Sequence, residues 1–475
     1  MTTNYFGMGL DTSVYKFISD AYTGEGGFTN GGYLVRFSRE SDKKFENRKA
    51  LAYYVNYLQP ACTRFTGYLA KRPVEREVAH PLVEKFVADC DWRGNNLDIF
   101  LSNFYTKAKA KGCGLLLVEM PNFQPTDLQN QLDTRFFPYL VELNIEDVRS
   151  FSLNPQGQLE SISIQTSMMA QGRLQSVIRS WDKTSWSVSI NGAIIEGAEH
   201  GLGCCPVLAF SENYNFPSMG TFSQIAALSK RLYNLQSELD EILRSQTFSL
   251  LTYQIPLEQQ GSFDAASLSE AVGTSNMLVY SGNQAPSFAS PSSGPADTIL
   301  KTISELETKI KEISLNVDLA NRTESGIALT IRFQTLNAAL AAFARKGEDL
   351  ERRMFDMVSR WLKIENTTTV AYAKSFEIAD VTAEMANLVS YQATGFPAEV
   401  IAAKKKQIVN LDFSNMEEAD IQPLLDAIDA NENETSVLES RVALLEAKNA
   451  PVDPNAIDPN ANPPMDMNPM NMGGN

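Results

Sequence analysis

Histidine is all but missing: the 475 residues contain two, His80 and His200. Neither sits in a Cys, Asp or Glu pattern with metal-ligand spacing, so no metal centre is expected. Both read as solvated loop residues, His80 in a helix lead-in before Pro81 and His200 in the glycine-rich stretch GAEHGLG. Cysteine is nearly as scarce. Cys62, Cys90, Cys113, Cys204 and Cys205 form no CxxC pair, which points to buried thiols in a reducing compartment rather than to a disulfide framework. No GxxxxGK[ST] loop, GxGxxG fingerprint or GxSxG elbow occurs. Gly112-Cys113-Gly114 lacks a third glycine and reads as a helix stop before a strand. Enzymatic chemistry needs an acid, a base or a nucleophile with positioned partners. None stands out, and no catalytic residue or cofactor is expected.

Long apolar runs are also absent. No stretch approaches the roughly 18 residues that span a bilayer, and the first residues, MTTNYFGMGLDTSVYKF, lack a basic region followed by an apolar one, so neither membrane insertion nor secretion is expected. Positive charge is in deficit, with 41 Lys and Arg against 57 Asp and Glu and a net charge of −16. Such a balance disfavours non-specific nucleic-acid binding over the surface and adhesion to anionic membranes. It leaves room for a channel through which DNA slides, where tight binding would be a hindrance. Residues 246–296 hold Glu258, Asp264 and Glu270 but no Lys or Arg, a net charge of −3.

What is present is a sequence of contrasting periods in an α+β chain. Residues 1–44, glycine-rich and polar, read as an extended arm. A helix pattern covers 45–70, interrupted by Pro60, and a second runs from Pro81 to about Lys111 with a break near Gly94. CGLLLVEM, residues 113–120, is a short apolar run with the length and flanks of a buried strand. From Pro138 to Phe210 short β-type runs alternate with turn signals, including Asn191-Gly192, and predict an antiparallel meander.

Near Phe222 the period changes. Ile225, Leu228, Leu232, Leu235, Leu239 and Ile242 step by three and four, a heptad stripe. A strand–helix–strand order follows (LLTYQIP, FDAASLSEAV, MLVYSG), then a flexible return, SFASPSSGPA. Ile299, Ile303, Leu306, Ile310 and Ile313 make a second heptad stripe. The polar break NVDLANRTES precedes the longest helix, about 326–362, which at ~1.5 Å per residue extends ~55 Å; Gly347 is a candidate bend. Charges interleave along it, with Arg345, Lys346, Arg352 and Arg353 among Glu348, Asp349 and Glu351, a pattern of ion pairing rather than of a DNA grip. Short helices are expected over 378–448, where Lys404-Lys405-Lys406 reads as a solvated helix face. The Pro/Asn/Met-rich tail 451–475 is expected to be disordered.

In this order of parts the chain resembles the portal proteins of tailed bacteriophages. Locally, residues 31–73 (GGYLVRFSRESDKKFENRKALAYYVNYLQPACTRFTGYLAKRP) are similar to the N-terminal wing of portals from short-tailed and related phages. ADTILKTISELETKIKEISLNVDLANRTESGIALTIRFQTLNAALAAFARKGEDLERRMF resembles the second stem helix, tunnel loop and kinked helix of that family. The resemblance implies an arm (1–44), a wing (45–220), stem helices (221–245 and 297–315) around a clip (246–296), a tunnel loop (316–325), a kinked helix (326–364), a crown-like helical region (365–450) and the tail. It further implies a ring, commonly of twelve subunits, at one vertex of a virion assembled in a bacterial cytoplasm. Major capsid and scaffolding proteins would surround the ring, the large terminase subunit and then tail or adaptor proteins would dock on the clip, and double-stranded DNA would pass through without being read.

Three sets of residues would carry this. The two heptad stripes would pack neighbouring stems side by side, with an ordinary intramolecular hairpin as the alternative. Their polar faces (Lys230, Asn234, Ser237 and Glu241; Lys301, Glu305, Thr308 and Glu312) could then border a hydrated channel. Glu258, Asp264 and Glu270 would form an acidic, protein-facing rim. Asp318, Asn321, Arg322 and Glu324 would meet DNA, Arg322 through phosphate. The rival readings are another ring-forming adaptor protein, which would be much shorter, and a cytoplasmic enzyme with an unrecognised site.

Overall fold

The computed structural model describes residues 11–121, 134–170, 173–213, 215–247, 250–255, 277–282, 284, 285, 287–289, 294–315, 326–376, 381–412 and 421–430. Two compact units divide the chain, Met1–Glu377 and Ile378–Asn475. Helices and sheets are mixed throughout the first.

The N-terminal segment is not an extended arm. Helix α1 (Thr12–Thr23) starts at Asp11, whose Oδ1 accepts a hydrogen bond from the Ser13 N–H, and buries Tyr15, Ile18 and Ala21. That spacing is helical, but the glycines that follow masked it. They form tight turns that bring Phe28 against Tyr33, Tyr54 and Tyr233, with Phe28 and Tyr54 centroids 3.9 Å apart. Helices α2 (Asp42–Leu51) and α3 (Leu58–Ala70) replace the single interrupted helix expected; Pro60 lies in the first turn of α3, where its missing N–H costs nothing. Strand β1 (Glu75–Glu77), α4 (Pro81–Ala88) and α5 (Leu97–Lys111) follow.

Strand β2 (Cys113–Glu119) lies between β3 (Tyr139–Leu143) and β9 (Val207–Ser211), antiparallel to both. Its alternate residues enter two cores. Leu116 and Val118 join α1, α3 and α5, while Cys113, Leu115 and Leu117 face a second cluster. Burial on both sides explains the unbroken apolar run. Strands β4 (Val148–Leu153), β5 (Leu159–Ala170), β6 (Arg173–Trp181), β7 (Ser185–Ile190) and β8 (Ala193–Glu199) form a five-stranded antiparallel sheet in sequence order. This is the expected meander. Its β7–β8 turn places Asn191 at φ 51° and Gly192 at φ 84°, as the Asn-Gly pair requires.

Helix α6 (Ser223–Thr247) leads to β10 (Leu250–Ile255), β11 (Met277–Ser281) and β12 (Ser287–Ala289), then to α7 (Gly294–Ile313) and α8 (Gly326–Leu362). Strands β10 and β11 are parallel, the pairing a crossover connection demands. Strand β12, inside the stretch read as a flexible return, pairs antiparallel with β10; its Ser-rich wording carries no strand signal. Gly347 sits within the continuous α8 for a packing reason: a Cβ there would lie 3.1 Å from the Tyr105 hydroxyl. Beyond α8, β13 (Thr369–Ala371) pairs with β1, so residues 365–376 belong to the first unit and not to a helical crown.

The second unit contains α9 (Val381–Ala393), α10 (Ala398–Asp412) and a helical stretch at 421–430. Lys404 pairs with Glu384, and Lys406 with Asp429, so the lysine run, expected as a solvated helix face, is instead half-buried and charge-paired. The helix 263–272, the polar break 316–325 and the tail 451–475 lie outside the described residues.

Candidate assembly surfaces

The element pair α6–α7 brackets a small sheet, and its faces can be assigned one at a time. The heptad stripes meet within the chain. Ile225, Leu232 and Ile310 are buried in the main core, and Leu228, Ile303, Leu306 and Ile313 pack against it. Leu235 is buried; Leu239, Ile242 and Ile299 are half-buried. The hairpin alternative therefore describes what these stripes cover in one chain. A heptad pattern specifies an apolar seam but not whether its partner lies in the same molecule.

The polar face of α6 is covered within the chain as well. Asn234 is 4% exposed; its Oδ1 accepts from the Val35 N–H at 2.7 Å and its Nδ2 donates to the Tyr33 carbonyl at 3.0 Å. Ser237 is buried, Lys230 lies 5.2 Å from the Tyr33 ring, and Glu241 pairs with Lys44. The N-terminal segment covers this face. Arg48 locks the same segment: buried beside Glu40 at 2.9 Å, it donates to the Val35 carbonyl at 2.6 Å and sits over Phe37 and Phe45. We expect Asn234→Ala to remove about 1–2 kcal/mol of stability and to speed hydrogen exchange at Val35, because the clamp is lost while the helix remains; unchanged exchange there would disprove the clamp.

The outer face of α7 is different. Lys301, Glu305, Thr308 and Glu312 are all exposed, as the polar-face reading expects, and Leu300 is 51% exposed among them. At the end of the pair, the sheet β11-β10-β12 buries Leu251 and Ile255 on one side. Its other side exposes Leu278 and Tyr280, with Gln254 Nε2 donating to the Tyr280 hydroxyl at 2.6 Å. The described residues of this sheet carry no charge. The candidate rim residues Glu258, Asp264 and Glu270, and the candidate DNA contacts Asp318, Asn321, Arg322 and Glu324, lie outside the described residues.

Along α8 the interleaved charges are paired within the helix, Arg353 with Asp349 at 3.0 Å and Arg352 with Glu348. Glu351 departs from that pattern. It is fully buried and grips Arg76 of β1 with both oxygens, at 2.7 and 3.0 Å. Periodicity could not reveal this, since the partners are 275 residues apart.

Neither histidine is a free loop residue. His80 caps α4, its Nδ1 accepting from the Leu82 N–H at 3.2 Å. His200 Nδ1 accepts from the Leu202 N–H at 3.3 Å, so its Nε2–H donates to the Asp182 carbonyl at 3.1 Å. All five cysteines are unpaired, four of them buried, and burial pushes the Cys62 thiol up to about 12. Among the described residues no cluster of His, Cys, Asp or Glu could hold a metal ion, and no helix is long and apolar enough to cross a membrane.

No family model matches the sequence, and no curated protein matches it. Among solved structures the chain is similar to one from the neck of a native GTA particle computed with C12 symmetry, at 10% identity over 71% of this chain and 85% of that one, TM-score 0.40. It is similar to another from the virion of the native gene transfer agent particle, at 10% identity over 72% and 87%, TM-score 0.39. A third is the crystal structure of an HK97 family phage portal protein from Corynebacterium diphtheriae, at 8% identity over 67% and 92%, TM-score 0.33.

Proposed function

We propose that this chain is a portal-type virion subunit that assembles into a ring at a capsid vertex. The ring would form the channel for packaging and ejecting a double-stranded genome and the dock for a terminase and then for tail or adaptor proteins. The observation that carries the reading is the order and length of parts: a meander sheet, a 25-residue helix, a small sheet with a parallel strand pair, a 20-residue helix, and a 37-residue helix after a polar break. No enzymatic step is included in this reading.

The ring would use surfaces other than the heptad stripes, which are occupied within the chain. The outer face of α7, with exposed Lys301, Glu305, Lys309 and Glu312, offers alternating charge to a neighbour. The small sheet, uncharged in its described part, offers Leu278 and Tyr280 to a protein partner rather than to phosphate. Net acidity would keep DNA binding weak, as translocation requires.

Mass photometry of the purified chain tests this directly. One narrow peak at a large integer multiple of 52.6 kDa, twelve for the expected ring, is the predicted result. A species of 52.6 kDa at every concentration overturns it. In the same assay Arg322→Ala should still form rings, while DNA packaging falls; wild-type packaging would remove Arg322 from the channel.

A further inference from the structure

The chain has four tryptophans, and three of them line one cavity of about 440 Å³ between the meander and the β3-β2-β9 sheet. Strand register builds its floor. Arg179 of β6 opposes Val188 of β7, which opposes Glu196 of β8. Two positions along, Trp181 opposes Trp186, and Trp186 opposes Ala198. Alternate residues share a face, so Arg179, Trp181, Trp186 and Glu196 all border the cavity.

The facing wall is held in place before any ligand arrives. Trp361, near the end of α8, donates its Nε1–H to the Val118 carbonyl at 3.0 Å. The Tyr139 hydroxyl donates to Glu119 at 2.9 Å, and its ring is stacked on the fourth tryptophan, Trp92, at 5.0 Å.

The rim is acidic. Glu119, Glu196 and Glu199 line it together with a single cation, Arg179. The carboxylates of Glu196 and Glu199 are exposed and have no hydrogen-bond or ion-pair partner among the described residues. We propose that this cavity receives an arginine side chain from a basic segment of a partner protein. An anion would meet three carboxylates and one guanidinium, and a purely apolar ligand would desolvate those carboxylates with nothing in return. A guanidinium satisfies both features. It is planar and weakly hydrated, stacks on indole faces and pairs with carboxylates through two hydrogen bonds.

The test uses the full chain, acetyl-Gly-Arg-Gly-amide as probe, and tryptophan fluorescence with equilibrium dialysis as readouts. The expected result is saturable binding that weakens at least about tenfold when citrulline replaces arginine, and likewise in the Glu196→Gln/Glu199→Gln double variant. Raising salt to about 0.5 M should also weaken it, a measurement that needs no variant. Arg179→Ala should tighten binding by removing a like charge. Equal affinity for the citrulline peptide, an unaffected double variant, weaker binding by Arg179→Ala, salt-independent binding or failure to saturate would each overturn the proposal.

Discussion

Glu351→Ala is expected to lower the stability of the first unit by about 3–5 kcal/mol, the range for breaking one side of a buried ion pair. The Glu351 side chain is 0% exposed and that of Arg76 is 8% exposed. Burial alone would disfavour the charged guanidinium, but the hydrogen bonds and charge of Glu351, and then of Asp98, hold its pKa above the ordinary value. Tyr372 of the segment after α8 also donates its hydroxyl proton to Glu351, and its oxygen lies 3.2 Å from that of Tyr105. The network thus joins β1, α5 and the strand after α8 to the long helix. Removing the carboxylate leaves Arg76 with only Asp98, which is 65% exposed and weakly attractive in water.

The four tryptophans all lie in the first unit, so chemical denaturation followed by their fluorescence reports on it. Asp98→Ala should shift the transition by less than about 1 kcal/mol. The pair Arg76→Met/Glu351→Leu should recover most of the loss, because two apolar side chains leave no stranded charge. A Glu351→Ala transition coincident with wild type would show that the pair does not anchor α8.

How much of this was legible beforehand follows from sequence separation. The strand CGLLLVE, the meander and its Asn191-Gly192 turn, and the helical spans of α6, α7 and α8 are local patterns, and local patterns predicted them. Two strands in the insertion were read as well, but their parallel pairing as β10 and β11 was not. What could not be read depends on distant partners. Nothing in Glu75–Glu77 or Thr369–Ala371 announces that the two pair across nearly the whole first unit. Asn234 reads as the polar side of an amphipathic helix until the backbone of Tyr33 and Val35 covers it. Likewise Trp181, Trp186 and Trp361 are scattered aromatics until the sheet register and the end of α8 bring them to one cavity.

Lys109→Met is expected to be comparably damaging, at about 3–5 kcal/mol by the same asymmetry. Lys109 is 3% exposed, on the last turn of α5. Its ammonium lies 4.3 Å from the Phe65 centroid, 4.5 Å from Phe222 and 5.5 Å from Phe343, inside a box drawn from α3, the lead into α6, and α8. It pairs with one oxygen of Glu212, while the other oxygen is buried without a hydrogen bond. The Glu212 charge therefore rests on Lys109. Methionine fills the stem volume and keeps the aromatic contacts, so the loss should come from the stranded carboxylate.

The double variant Lys109→Met/Glu212→Gln separates the contributions: it should recover more than half of the loss, leaving the cation–π attraction as the remainder. The location sharpens the expectation. Just beyond Lys109, Gly112 stands at φ 88°, and a Cβ there would lie 1.8 Å from the Gly220 nitrogen. The Gly112 carbonyl accepts from the Glu212 N–H at 2.8 Å and from the Ser218 hydroxyl at 2.7 Å. Glu212, Ser218 and Gly220 are thus held against Lys111 and Gly112, which keeps Glu212 from swinging into water. If Lys109→Met unfolds with the wild-type midpoint, the loop is freer than this geometry allows and Glu212 reaches solvent.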